Sequence, residues 1–402
     1  MLVGQNDKVH ADLWKISPHI KNLEASIIRE VLKISGAPGI INFAGGLPAP
    51  ELFPEKELSE CMQKVMNRYS NQALQYTITQ GVPELRKLLA RRASLRGTPT
   101  EADNLIITSG AQQALDLITR AFVDPGDYIL TENPTYLGAL QVFNYYKAKY
   151  ATVAMDDEGM IIDQVEEKLS EYKPKLIYTV SNFQNPTGIT MSEKRRIKLV
   201  ELATRYNVPI VDDNPYGDIR FEGEHLGTLK SFGGDEVIAV RTFSKIVSPG
   251  FRLGWINGPE EIIRYFEKVK QSADLHSNTF GQYLMYEFIT CGYLEPHIKK
   301  ICADYKAKRD IMLEAMAQHF PPGVRWTKPQ GGLFIWVELP KDISAKEIFP
   351  KAIEKGVAYV YGQPFFPHGE GENTMRINFC NATHENIREG IKRLGELLKS
   401  YL

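Results

Sequence analysis

One lysine stands out for its surroundings. Lys245 lies in "VRTFSKIVSPGFRLGW", after the apolar run 237–240, beside the hydroxyls of Thr242 and Ser244, with Arg252 a little further on among glycines. A lysine held among apolar chain at a strand end is kept neutral by desolvation and becomes an amine nucleophile. The two hydroxyls and the Arg252 fork are donors suited to a phosphate. The competing reading is a surface lysine at a loop tip.

Three other stretches end apolar runs with polar groups. In "ITSGAQQALDL", Gly110, Ala111 and Gln112 open a helix, and small residues there let backbone N–H groups and the helix dipole meet an anion. In "NFQNPTG", Asn185 precedes a proline, which by itself indicates a turn. In "VPIVDDNPYGDIRF", Asp212 and Asp213 close an apolar strand, and Tyr216 follows three residues after Asp213. A buried carboxylate needs a positive partner, unless the aspartate is instead a helix N-cap. Taken together, a lysine amine, a carboxylate, an asparagine and a phosphate cradle are the requirements of a pyridoxal 5'-phosphate site, where the carboxylate keeps the ring nitrogen protonated.

The elements that must position these groups alternate along the chain. "NLIIT", "YILTE", "PKLIYTV", "VPIVD" and "EVIAVRT" are short apolar strands; "AQQALDLITRAF" and "SEKRRIKLVELATRYN" are helices, the second opened by Ser192. That alternation predicts a mostly parallel sheet covered on both faces, with ligands at the carboxyl ends of its strands. A helix is expected over 12–34, a loop over 41–54, and a helix over 303–320. The later strands "GGLFIWVELP" and "TMRINFC" and a closing helix over 384–400 predict a smaller α+β domain. Residues 1–50 are expected to form an N-terminal arm and part of the small domain, 51–290 a large domain and 291–402 the small one.

The 402 residues carry 48 Lys and Arg against 49 Asp and Glu, a net charge of −1, which argues against nucleic acid or an anionic membrane as partner. No stretch is apolar enough to span a bilayer, and the start lacks a signal core. The four cysteines are far apart and the eight histidines scattered, so reduced thiols, a cytoplasmic setting and no metal are expected. The dinucleotide, P-loop and zinc-protease motifs are missing.

In its motifs, taken in order, the sequence resembles the fold-type I pyridoxal-phosphate aminotransferases, and within them the 2-aminoadipate and kynurenine aminotransferase-like group. The motifs are "AGGLPAPELFP", "TSGAQQALDL", "QNPTG", "DNPYGDIRF" and "TFSKIVSPGFRLGW". The resemblance runs from about Ile41 to Cys380 and implies an aspartate aminotransferase-like α/β fold. It implies that Lys245 forms the Schiff base and moves the α-proton, and that Asp213 pairs with the ring nitrogen. Asn185 and Tyr216 would bond the ring hydroxyl, and Tyr136, in "NPTYLG", would stack on the ring. Gly110, Ala111, Gln112, Thr242, Ser244 and Arg252 would hold the phosphate, although Ala111 and Thr242 stand where many relatives have serine. Arg376, in "TMRINF", would take the substrate α-carboxylate, and Gly46 would lie beside the substrate. Tyr76, in "LQYTITQG", resembles a tyrosine that reaches a neighbouring subunit, implying a homodimer with shared sites.

The expected reaction is ping-pong transfer of an amino group from an L-α-amino acid to a 2-oxo acid such as 2-oxoglutarate. The same anchors would serve a lyase, a decarboxylase or a cyclopropane-forming synthase. A transcription regulator with an aminotransferase-like domain is the remaining alternative, disfavoured because only some forty residues precede the matching segment.

Overall fold

The computed structural model describes residues 15–21 and 37–401. Of the helix expected over 12–34, Pro18–Lys21 is described as helical, and most of the remainder lies outside the described residues.

The larger sheet has eight strands. Their spatial order is Leu105–Thr108, Gly254–Asn257, Val237–Thr242, Ile210–Asp213, Leu176–Thr179, Tyr128–Asn133, Lys149–Asp156 and Gly159–Met160. Neighbours from Val237–Thr242 across to Lys149–Asp156 run parallel. Gly254–Asn257 is antiparallel to both its neighbours, and Gly159–Met160 is antiparallel to the strand it borders. The expected mostly parallel sheet is therefore observed. Every residue of "LIIT", "LIYT", "IVDD" and "GWIN" is buried, which is why these strands read as runs rather than as alternations.

Lys149–Asp156 and Ile41–Asn42 are among the strands that escaped sequence reading, each for a physical reason. Lys149–Asp156, "KYATVAMD", lies near the edge of the sheet with part of each face wet, so its apolar content is low. Ile41–Asn42, inside the segment read as a loop, pairs in parallel with Val357–Ala358, a partner more than three hundred residues away. The helix expected from 303 begins earlier and spans Leu294–His319. Ser192 does precede the helix Glu193–Tyr206, but its hydroxyl makes no capping bond.

The smaller sheet is antiparallel, in the order Arg325–Trp326, Phe334–Glu338, Thr374–Asn378, Val360–Tyr361. The long helix Leu294–His319 packs along His384–Lys399. A continuous apolar core joins both sheets through residues such as Phe43, Phe243, Phe334 and Ile377. Among the described residues no helix is long and apolar enough to cross a membrane.

Candidate active site

The site lies where strand ends of the larger sheet meet the segment 44–46 and the strand Thr374–Asn378. Asp213 ends its strand with no helix behind it, so the capping alternative fails; the local turn is closed instead by Asn214, whose Oδ1 accepts from Gly217 N at 2.9 Å. On the neighbouring strand Tyr178 pairs with Val211 and so shares a face with Asp213. Its hydroxyl donates to Asp213 Oδ2 at 2.9 Å, while Oδ1 is buried and without a hydrogen-bond partner. Burial pushes the Asp213 carboxyl up to about 7, against the Tyr178 bond and with help from Asp212 and Glu132. Asp212 points to the opposite face, where Ser181 Oγ donates to its Oδ1 at 2.6 Å.

Lys245 sits in a tight turn after Val237–Thr242, in which the amides of Ile246 and Val247 return to Phe243 O. Its Nζ donates to Gly46 O at 2.6 Å. Burial, then the charges of Arg376 and Arg252, lower the amine to about 8. Gly46 packs under Phe334, where an added Cβ would stand 3.1 Å from the ring.

Arg376 is 1% exposed. Its Nη1 donates to Asn185 Oδ1 and its Nη2 to Ala44 O, both at 2.8 Å, and its Nε has no partner. Phe334 and Phe365 flank the guanidinium at 4.2 and 5.1 Å. Among the described residues no carboxylate pairs with it, and burial lowers it to about 10. Asn185 Nδ2 reaches Tyr216 OH at 3.5 Å, so Lys245, Gly46, Arg376, Asn185 and Tyr216 form one connected neighbourhood. Tyr136 belongs to it as well. Burial raises its hydroxyl to about 12, with Asp213 adding to the rise and Arg376 and Arg252 opposing it.

The anion cradle is built on backbone. Gly110 has φ +81° and precedes the helix Ala111–Phe122; a Cβ there would come 2.6 Å from the Arg252 guanidinium. Gly254 is held as closely, with a Cβ position 3.1 Å from Ala111 N. A helix N-terminus and an arginine thus face the same space, and among the described residues the Arg252 guanidinium makes a single 3.3 Å bond, to Pro249 O. Ser244 is buried beside it. Two expected phosphate donors are engaged elsewhere: Gln112 Nε2 donates to Gly138 O at 2.8 Å, and Thr242 Oγ1 lies 2.9 Å from both Leu253 O and Ser244 Oγ. Among the described residues Tyr76 makes no hydrogen bond or ring contact with this group; it is 78% exposed, its ring edge-on to His276.

Tyr178, Phe334, Phe365 and the Ala44 carbonyl were not picked out from sequence. Each acts through register or a distant contact, which leaves no local pattern to read.

A sequence profile of the family described as "Aminotransferase class I and II" matches residues 44–394. The chain belongs to this family. The aminotransferase is 48% identical over 384 residues to aromatic-amino-acid aminotransferase 1 of Thermococcus litoralis, covering 94% of this chain and 92% of that one. It is similar, at 45% identity, TM-score 0.94 and 99% coverage of both chains, to the kynurenine aminotransferase of Pyrococcus horikoshii solved with PMP, KYN and KYA. The α-aminoadipate aminotransferase of Thermus thermophilus, complexed with N-(5'-phosphopyridoxyl)-L-leucine, matches with TM-score 0.90 at 36% identity over 97% of this chain and 98% of that one. This aminotransferase therefore has the aspartate aminotransferase-like fold and is a pyridoxal-phosphate-dependent transaminase. Its own residues fit that cofactor: the free, buried Asp213 Oδ1 suits a ring N–H, and the space shared by Arg252 and the Ala111–Phe122 N-terminus suits a phosphate.

Proposed function

We propose that this aminotransferase draws its amino group from an L-α-amino acid of the aromatic, kynurenine, 2-aminoadipate or branched aliphatic type. The acceptor is a 2-oxo acid such as 2-oxoglutarate. One observation carries the substrate class: Arg376 is a buried cation with no carboxylate partner and a free Nε. A charge left so is costly, and a substrate α-carboxylate compensates it in the bidentate way that a guanidinium fork matches.

Bound pyridoxal phosphate supplies an electron-withdrawing ring that acidifies the substrate α-carbon. Asp213 would accept the ring N–H on its free Oδ1, with Tyr178 fixing the other oxygen. Asn185 and Tyr216 would hold the ring hydroxyl, and Tyr136 would pack on the ring. Gly110, Ala111, Ser244 and Arg252 would hold the phosphate, with Gln112 and Thr242 bracing the cradle. Lys245 would tether the cofactor. Its amine would hold and move the substrate α-proton, and a value near 8 leaves a useful neutral fraction for that work. Gly46 O holds the amine in place meanwhile.

Residues 51–290 are read as the cofactor-binding domain. Residues 291–402, joined by the Ile41–Asn42 strand, form the small domain. The exposed Tyr76 supports a homodimer in which it completes the partner's site. Four free cysteines, two of them buried, suit a cytoplasmic setting. The deciding experiment offers single amino acids with 2-oxoglutarate and measures glutamate. Glutamate formation from at least one proposed donor class is expected; consumption of donor with no glutamate and no new 2-oxo acid would reject the reading.

A further inference from the structure

Behind the sheet lies a second cavity, of about 390 Å³, a size at which small molecules bind. Ala239 pairs with Asn257 and Arg241 with Trp255, and all four line it. They alternate with Val240, the partner of Asp213, so they face away from the Asp213 side. The helix Pro83–Leu95 contributes Arg92, and the segment 214–230 covers much of the opposite wall.

The lining is strongly cationic: Arg92, Arg96, Arg220, Arg241 and Lys230 stand against one carboxylate, Asp218. Asp218 is already committed to Arg92 and Arg96, which also share Glu295. Lys230 donates to Gly234 O at 2.7 Å. Arg220 lies over the Phe183 ring at 4.7 Å and uses Nη1 on Glu222 O and Gln330 Oε1. The Arg241 side chain makes no hydrogen bond or ion pair among the described residues. Asp212 and Asp218 attract it at longer range, and Arg92 and Arg96 repel it.

Unmet polar atoms gather here too. Arg92 Nη2, Arg220 Nη2 and Asn214 Nδ2 are buried donors without partners, and Asn257 Oδ1 is a buried acceptor without one. All four residues line the cavity. Three orphaned donors around a surplus of guanidinium charge match an anion with several oxygens, and the lone acceptor matches a hydroxyl among them.

We infer that this cavity is a binding site for a small polyvalent oxyanion, a phosphate or a di- or tricarboxylate, separate from the amino-acid site. The ligand bridges Arg241 and Arg220 and gives the desolvated Arg241 guanidinium the direct anionic partner it lacks.

The test uses the holoenzyme, so that the cofactor fills its own cradle, at constant ionic strength. Inorganic phosphate and citrate are added separately and the melting temperature is followed. At saturating probe a rise of about 3 °C is expected with at least one of them. A response to phosphate alone assigns a tetrahedral ligand, and one to citrate alone assigns a carboxylate. The rise shrinks by more than half in Arg241→Gln and in Arg220→Gln, and persists in Arg376→Gln on the other face. Without anion, Arg241→Gln melts no lower than the native protein, because a desolvated cation with no paired carboxylate is gone. No response to either probe overturns the inference. So does a response that survives both cavity variants, or one lost in Arg376→Gln, which would belong to the amino-acid site.

Discussion

Asp213 and Asp218 lie within a few residues of each other, both with little exposure, yet they are held in opposite states. Asp213 ends a strand beside Tyr178, with no cation paired to it, and burial pushes it up to about 7. Asp218 lies at the second cavity with Arg92 and Arg96 upon it, and these hold it down to about 2 despite comparable burial. Burial alone therefore does not set the charge; the partner does. The side of the sheet bearing Asp213 leaves Asp213 Oδ1 and Arg376 Nε unmet, where the proposed cofactor and substrate would complete them. The side bearing Asp218 satisfies its carboxylate inside the protein and leaves an excess of cations.

If that contrast is right, the Asp213 side should be fragile in activity and the Asp218 side in stability. The largest effect is expected for Lys245→Ala, which should lower transamination by about 10³-fold or more with little change in melting temperature. Measurable native-like turnover without added amine would break the comparison. Next, Asp218→Asn strips Arg92 and Arg96 of a buried counter-charge and should cost about 3 kcal/mol of stability by denaturant unfolding, while kcat of the folded enzyme stays near native. Arg376→Lys keeps the charge but loses the fork, and should reduce kcat/KM for both amino donor and 2-oxo acid by about 2 kcal/mol, or roughly thirtyfold. A loss confined to one substrate would argue that Arg376 does not serve the carboxylate common to both.

The smallest effect is in pH dependence, and its sign differs between the two aspartates. Asp213 is raised in the folded, cofactor-free chain, so its contribution is present below its unfolded value near 4 and is lost as pH rises towards 7. Asp218 is lowered, so its contribution is present above about 4 and is lost as pH falls towards 2. Melting curves of the cofactor-free protein should thus fall less steeply between pH 4 and 7 in Asp213→Asn, and less steeply below pH 4 in Asp218→Asn. Because Glu132 is also raised to about 7, the comparison must be made between variant and native, not on one curve alone.

What could be read in the sequence follows from the range of the forces involved. The helix Ala111–Phe122 and the strands ending at Thr108, Asp213 and Thr242 announce themselves through local apolar runs and small residues. Lys245, Asp213 and Asn185 could be singled out because each sits in a short, distinctive stretch, whereas Arg376 came only through the family resemblance. The bond from Arg376 to Asn185, 191 residues away, could not be foreseen. Nor could the alignment of Tyr178 with Asp213, which depends on strand register. The occupation of Gln112 by Gly138 O likewise depends on how two helices meet. The cationic cavity left no trace, since Arg92, Arg220 and Arg241 come from a helix, a loop and a strand and gather only on folding.

The covalent role of Lys245 is the point on which the rest turns. Borohydride reduction of the holoenzyme followed by peptide mapping addresses it directly. The pyridoxyl group should be found on Lys245, once per chain, and Lys245→Ala should retain none. Label on a different lysine, or a native protein that holds the cofactor yet cannot be labelled, would contradict the account.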